Sequence, residues 1–436
     1  MRGKWGEIVA ERKRILMLSW EFPPRIVGGI ARHVAELSQA LARAGAAVDV
    51  VTAHHPGAPA EETIPAGEGR LRVLRAGPAP INPLDFVCDI HQLDFALLER
   101  LLAEGERKYD IIHAHDWLVA FAARTLKHGL GVPLVATIHA TEAGRNRGIR
   151  NPIQHYIHSV EWLLTYDARR VICCSQAMAH EIGEALRVPA DKLRVLPNGV
   201  DPERVSCADS RAELEAFRRR WAEPGERVVF FVGRLAVEKG VEVLIDALPE
   251  VLAAHPEAKL VVAGGGWHGH LRDRAVAKGV GNKVVFTGFL PEEDLPRMYA
   301  IAEAAVFPSL YEPFGIVALE AMAAGVPVVT SDIGGFREVV RHERTGLHTW
   351  ANNAGSLAWG INRVLSDPKL AARLRRAGRR EVRERYGWDG IAERTLEVYE
   401  EVLADATRAA ARAPRPAAEP GVRPRYLASG TAYSRS

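Results

Sequence analysis

Apolar runs of about four to six residues recur along the chain, each bounded by polar or glycine-bearing loops and most followed by a stretch of helical spacing. That alternation predicts buried parallel strands joined by helical crossovers, an α/β fold built on doubly wound sheets. In the first half it places strands at 14–19, 48–53, 71–75, 110–114, 133–138, 170–175 and 193–196. Helices are expected from Gly28 to about Ala44, over 91–104, from Asp116 to Lys127 and over 153–166. Two stretches lack an apolar period and read as loops: 55–68, rich in Pro, Gly and Glu, and 141–150, polar and cationic.

The second half repeats the alternation, with strands at 228–232, 259–263, 283–287, 304–307 and 326–330. Helices are expected over 209–222, 240–254 and 314–325; another opens at 334–338, and three more follow at 354–366, 368–386 and 388–404. Between the halves, Pro197-Asn198-Gly199-Val200-Asp201-Pro202 is turn chemistry and sets a domain boundary near Asp201. Two Rossmann-like domains result, 14–201 and 202–385, which suits 436 residues better than one core does. Residues 1–13 read as a frayed charged extension, and the Ala/Pro/Arg/Gly composition of 406–436 as a disordered tail.

Composition narrows the function classes. With 47% hydrophobic and 25% charged residues the chain has the make-up of a soluble globular protein. No apolar run approaches the ~20 residues of a bilayer span, and the first, Ile15 to Leu18, is strand-sized, so neither a signal peptide nor a transmembrane segment is expected. The net charge of +3 gives no argument for nucleic acid; residues 406–436 carry six arginines against one glutamate, hence +5 there and −2 elsewhere. Cys88, Cys173, Cys174 and Cys207 lack zinc-ligand spacing and read as small buried side chains in a reducing cytoplasm.

The candidate chemistry centres on Pro308 to Asp332. A strand ends there, Tyr311-Glu312-Pro313 breaks it, and a helix then runs to Gly325, so the helix N-terminus sits at the carboxyl edge of a parallel sheet. The free amides of Phe314, Gly315 and Ile316 suit a phosphate. Glu312 precedes them and Glu320 lies within the helix, so the two carboxylates address different parts of one ligand, one a sugar and the other a ribose; the plainer alternative is a loop acid and a solvated helix face. At a second sheet edge, Gly233-Arg234-Leu235-Ala236-Val237-Glu238-Lys239-Gly240 offers a guanidinium and an ammonium for phosphate oxygens, or ordinary surface ion pairs. Gly28-Gly29, after the first strand, allows close approach of backbone to a ligand, or simply a tight packing turn. His113, His115, Asp116 and His139 fall at neighbouring strand ends; they read as cleft lining rather than a metal site, since no fourth ligand stands at metal spacing. Arg145 lies in the cationic 141–150 loop, a candidate acceptor clamp.

Pro-Ser-x-x-Glu-Pro-Phe-Gly-x-x-x-x-Glu-Ala-Met-Ala-x-Gly-x-Pro-Val-Val resembles the donor-site signature of retaining glycosyltransferases of family 4, and the likeness extends over about residues 14–405. The resemblance implies the B-type fold, in which two Rossmann-like domains face each other across a cleft. It implies an acceptor-side domain at 14–201, a nucleotide-sugar domain at 202–385, and a final helix at 386–405 crossing back to the first. It places His139 against the donor sugar and the base at the backbone of Phe289 and Leu290. Trp20-Glu21-Phe22-Pro23-Pro24, Gly28-Gly29 and His113-Ala114-His115-Asp116-Trp117 look most like glycogen and starch synthases, which extend α-1,4-glucans from ADP- or UDP-glucose. One departure is Ile26, where many bacterial glycogen synthases carry a lysine.

The implied division of labour is metal-free and needs no cofactor. Arg234, Lys239 and the amides of 314–316 neutralise the diphosphate, Glu312 orients sugar hydroxyls, Glu320 holds the ribose and His139 meets the sugar, with Asp116 and Arg145 toward the acceptor. The competing readings are transfer to a small sugar, a sugar phosphate or a lipid-linked glycan; a non-hydrolysing nucleotide-sugar 2-epimerase; and a non-catalytic nucleotide-sugar sensor or scaffold.

Overall fold

The computed structural model describes residues 12–78, 81–105 and 107–412. The extension at 1–11 and the tail at 413–436 lie outside the described residues. Two sheets are present. The first contains β1 (Arg14–Ser19), β2 (Ala47–Thr52), β3 (Glu61–Ile64), β4 (Arg70–Arg75), β5 (Ile111–His115), β6 (Leu134–Ile138), β7 (Arg170–Cys173) and β8 (Leu193–Val195), in the order β3-β4-β2-β1-β5-β6-β7-β8. All its neighbours pair in parallel except β3 with β4. The second contains β9 (Arg227–Val232), β10 (Ala258–Ala263), β11 (Val284–Gly288), β12 (Ala302–Phe307), β13 (Val328–Ser331) and β14 (Leu347–Thr349), all parallel, in the order β11-β10-β9-β12-β13-β14.

This order decides where a ligand can bind. The chain reverses direction across the sheet at β1/β5 and again at β9/β12, and the loops leaving such neighbours diverge to open a crevice at their carboxyl ends. The loops after β1, β5, β9 and β12 are the ones that carry Gly28-Gly29, Asp116, Arg234 with Lys239, and Glu312. The central strands are buried on both faces, Ile15, Leu16, Met17 and Leu18 at 0% exposure, as their uninterrupted apolar runs require. The helix Trp388–Arg412 packs on the first domain, where Trp388, Ile391, Tyr399 and Val402 join Ile15, Met17, Leu37 and Leu41 in one apolar cluster.

Several local expectations are corrected. The 55–68 loop contains strand β3, whose polar Glu61 and Glu62 are held to β4 by Arg72 and Arg75 at 3.1 and 2.5 Å. Charge pairing, rather than apolar alternation, attaches this edge strand. The helix expected at 91–104 begins at Phe86, where Asp85 caps it by accepting from the Cys88 amide, and the 141–150 loop contains a short helix, Glu142–Arg145. Helices Gln176–Ala185, Gly269–Ala277 and Asp294–Ile301, and strand β14, have no counterpart in the sequence reading; all are short and carry little periodic signal. The last helix continues to Arg412, so residues 406–412, expected to be disordered, are helical.

Candidate active site

Two glycines shape the second-domain side of the crevice. Gly240 has φ +68°, and a Cβ there would lie 2.0 Å from the Pro308 carbonyl oxygen, so only glycine lets the β9 loop lie against the β12 loop. That approach delivers Lys239 to Glu312: Nζ donates to Oε2 at 2.8 Å, and Ser309 Oγ donates to the same oxygen at 3.1 Å. Gly315 has φ +104°, where a Cβ would meet the Phe336 ring at 2.5 Å; it turns the chain into the helix Ile316–Ala324. No side chain caps that N-terminus, so its amides keep their polarity for a ligand. The Glu312 carbonyl accepts from the Gly335 amide at 2.9 Å, anchoring the loop from behind. Arg234 stands at the same edge, half exposed and paired with Glu238 at 2.9 Å.

Glu320 is not a solvated helix face. It is fully buried, and Oε1 accepts from Arg32 at 2.6 Å and from Arg204 at 2.9 Å, with the Tyr299 hydroxyl 3.4 Å from Oε2. Arg32 comes from the first-domain helix Gly29–Arg43, so this carboxylate is a tie between the lobes. A ribose reaching it has to displace a guanidinium.

The first-domain side is built from buried, largely uncharged groups. Glu21, 1% exposed, accepts from the amides of Val27 at 2.6 Å and Gly28 at 2.9 Å and so shapes the paired-glycine loop; burial pushes its carboxyl above the usual range. Gly29 faces the second domain, where a Cβ would lie 3.2 Å from Ile316. Asp116 does not line an open acceptor wall. It is 4% exposed, has φ +61°, and its Oδ1 accepts from the His139 amide at 2.7 Å, while burial raises its carboxyl to about 7. Asp116 therefore positions His139, which stands partly exposed at the crevice floor. Beneath lies a column of imidazoles. His115 Nδ1 is 3.1 Å from His139 Nε2, His33 sits edge-on to His139 with ring centres 4.6 Å apart, and His113 joins Thr137 and the Tyr399 hydroxyl at 2.7 Å each. Burial lowers His33 to about 4 and His113 to about 3, so both are neutral at ordinary pH.

The lobes are in contact around this crevice. The Tyr311 hydroxyl, beside Glu312, donates to Glu181 Oε1 at 2.8 Å and lies 3.3 Å from the Thr141 amide, just beyond His139. Ser175 Oγ donates to the Pro313 carbonyl at 2.7 Å, and Glu338 accepts from the amides of Gln176 and Ala177 at 3.0 Å, capping a first-domain helix from the second. A cavity of about 190 Å³ remains between Met178, Glu181, Tyr311, Glu312 and Gly334. Phe289 is 73% exposed beyond β11, with Leu290 beside it, and Arg145 is half exposed, 4.0 Å from Glu142. Among the described residues no hydrogen bond or ion pair joins Arg145 or the Phe289 turn to the Lys239–Glu312 pair.

Glu21, His33, Arg32, Tyr311 and Glu338 escaped the sequence reading. Glu21 and Tyr311 lie inside motifs that the sequence shows, but were given no role there; the other three act across elements far apart in the chain.

Comparison with known proteins agrees with this architecture. Residues 27–204 match the model of Glycosyltransferase Family 4, and residues 214–381 that of Glycosyl transferases group 1. An uncharacterized glycosyltransferase of Methanocaldococcus jannaschii is 40% identical over 88% of this chain and 97% of its own. The glycogen synthase of Mycobacterium tuberculosis is 37% identical over 88% of this chain and 94% of its own. Among solved structures, sucrose-phosphate synthase from Thermosynechococcus elongatus superposes with a TM-score of 0.76 at 27% identity, covering 90% of this chain and all of that one. With two facing Rossmann-like domains and this depth of similarity across both, the chain belongs to the family 4 glycosyltransferases of the two-domain B-type fold.

Proposed function

We propose that this glycosyltransferase is a retaining enzyme that moves a glucosyl unit from ADP- or UDP-glucose to a hydroxyl of an α-1,4-glucan. The observation that carries the reading is the Lys239–Glu312 pair beside an uncapped helix N-terminus, at the switch point of the second sheet. Lys239, Arg234 and the amides of 314–316 would neutralise the diphosphate as it departs, which supplies in fixed form the positive charge a divalent cation otherwise brings. Glu312 would turn a hydroxyl of the sugar, and His139 would meet the sugar from the other lobe. Glu320 would take the ribose once Arg32 lets go. Donor entry would part the lobes at the Arg32–Glu320 and Tyr311–Glu181 contacts, and reclosure would exclude water.

Neither carboxylate is set as a covalent nucleophile: Glu312 is held by a lysine and Glu320 lies beneath two arginines. Retention is therefore assigned to same-face attack assisted by the leaving phosphate. The 37% identity to a glycogen synthase supports the glucan acceptor. The likeness to a sucrose-phosphate synthase favours a second reading, a small phosphorylated acceptor met by the cationic loop at Arg145, Arg147 and Arg150.

The test is a donor screen that follows nucleotide release with and without maltooligosaccharide, then with sugar phosphates. The expected result is release from ADP- or UDP-glucose that depends on maltooligosaccharide and gives an α-linked product. A β-linked product removes the retaining assignment, and isomerisation of donor without acceptor assigns an epimerase instead.

A further inference from the structure

The imidazole column holds more than the proposed transfer uses. His33, His115 and His139 each offer a ring nitrogen, and the three nitrogens lie within 4.8 Å of one another. They come from three elements that close on one another: the helix Gly29–Arg43, the end of β5 and the turn after β6. His33 Nδ1 is 2.8 Å from Asn198 Oδ1, an acceptor, so Nδ1 carries the proton and the lone pair is left on Nε2. That Nε2 is buried without a partner. One ring nitrogen fixed by an oxygen acceptor and the other left bare is the orientation of a metal-binding histidine. His115 Nδ1 and His139 Nε2 are 3.1 Å apart, close to the ~3.3 Å separating two nitrogens on a tetrahedral ion with bonds of about 2.05 Å. The partial exposure of His139 leaves one side open to water or a sugar hydroxyl.

We propose that His33, His115 and His139 form a binding site for a divalent transition ion of the zinc type, open to the crevice through its fourth position. Three neutral imidazoles with no carboxylate among them select zinc, copper, nickel or cobalt over magnesium or calcium. The ion draws His139 into its own coordination, so it competes with the donor sugar. That consequence rests on the transfer reading, whereas metal binding itself does not.

The experiment takes the full chain stripped with chelator and titrates Co²⁺ alone, reading the visible absorption of four-coordinate cobalt, then displaces it with Zn²⁺. One equivalent of Co²⁺ is expected, reversed by Zn²⁺ and unmoved by excess Mg²⁺. His33→Ala should weaken Co²⁺ binding at least tenfold. His33→Asn, which retains a polar group toward Asn198, should do the same, and unfolding transitions of both variants show whether they are folded. Unaltered cobalt affinity in a folded His33 variant, or no cobalt band in the wild-type chain, overturns the site. A second readout separates the two readings: Zn²⁺ should raise the apparent KM for the nucleotide-sugar about tenfold. A cobalt site without that shift keeps the metal proposal and removes His139 from the donor sugar; an active enzyme that binds no cobalt does the reverse.

Discussion

The two walls of the crevice are built from opposite chemistry. On the second-domain wall Lys239 is paired with Glu312 and the half-exposed Arg234 with Glu238, beside an uncapped helix N-terminus, and the loops that carry them meet through glycine-dependent contacts. On the first-domain wall the polar groups are imidazoles that burial keeps neutral, set over an aspartate spent on a backbone amide. A charged wall suits the diphosphate of a nucleotide-sugar. A neutral one suits the sugar, whose hydroxyls need hydrogen bonds but no counter-charge. Among the described residues the acids of the crevice already have partners: Glu21 and Asp116 serve backbone amides, Glu181 a tyrosine hydroxyl, Glu312 a lysine and Glu320 two arginines.

The largest effect that can break this comparison is expected from Lys239→Ala. It removes the cation nearest Glu312 and leaves that carboxylate, 8% exposed, without its counter-charge. A loss of about 10³-fold in kcat/KM, roughly 4 kcal/mol, is the expected outcome in steady-state assays. Glu312→Ala comes next, at about 10²-fold or a few kcal/mol, because on the proposed reading the sugar would lose its orienting acceptor while the phosphate site would survive; near-normal turnover would take Glu312 out of the mechanism. His139→Ala tests the neutral wall and should cost roughly ten- to thirtyfold, more in kcat than in KM, since one neutral contact is worth about 1–2 kcal/mol. If that variant loses more than Lys239→Ala, the assignment of charge to one wall and sugar to the other is wrong.

The smallest effect concerns stability and comes from the support behind the neutral wall. Asp94 is 3% exposed, accepts from the Ala122 amide at 2.9 Å, and is pushed by burial from 3.8 to about 7. Its folded-state affinity for a proton exceeds its unfolded one, so its contribution is complete below about pH 4 and lost as pH rises through 7. Asp94→Asn should flatten that decline and raise the chemical-denaturation midpoint at pH 8 by the equivalent of roughly 1–3 kcal/mol, with little change at pH 4. An equal decline in both proteins assigns the slope to other groups.

The placement of Lys239, Glu312 and the helix amides at one sheet edge was legible in the chain because these parts lie within short loops. Glu312 and the helix amides sit within five residues of one another, and Lys239 stands beside the glycine that lets its loop approach. The two-sheet fold was legible for the same reason: buried parallel strands need apolar runs, and apolar runs are local. Strand β3 was not, because its attachment is charge pairing to Arg72 and Arg75, whose partners no periodicity reveals. Glu320 was placed on the right helix, but its burial was not legible there. Its burial comes from Arg32 and Arg204, which lie 288 and 116 residues away in the chain. Asp116 was seen as cleft lining because its neighbours are, whereas its left-handed φ turns the carboxylate under His139.

The chain by itself determined the alternation of strands and helices, the placement of glycines at loops that must touch, and the residues on each strand end. Those features depend on hydrophobic period and backbone freedom, which neighbouring residues set. Only the tertiary structure decided which strand ends share a crevice, that Arg32 ties Glu320 across the lobes, and that His33 completes a triad with His115 and His139. Such contacts are fixed when separate elements close on one another, and the energy that selects them is spread over packing that no single stretch of sequence contains.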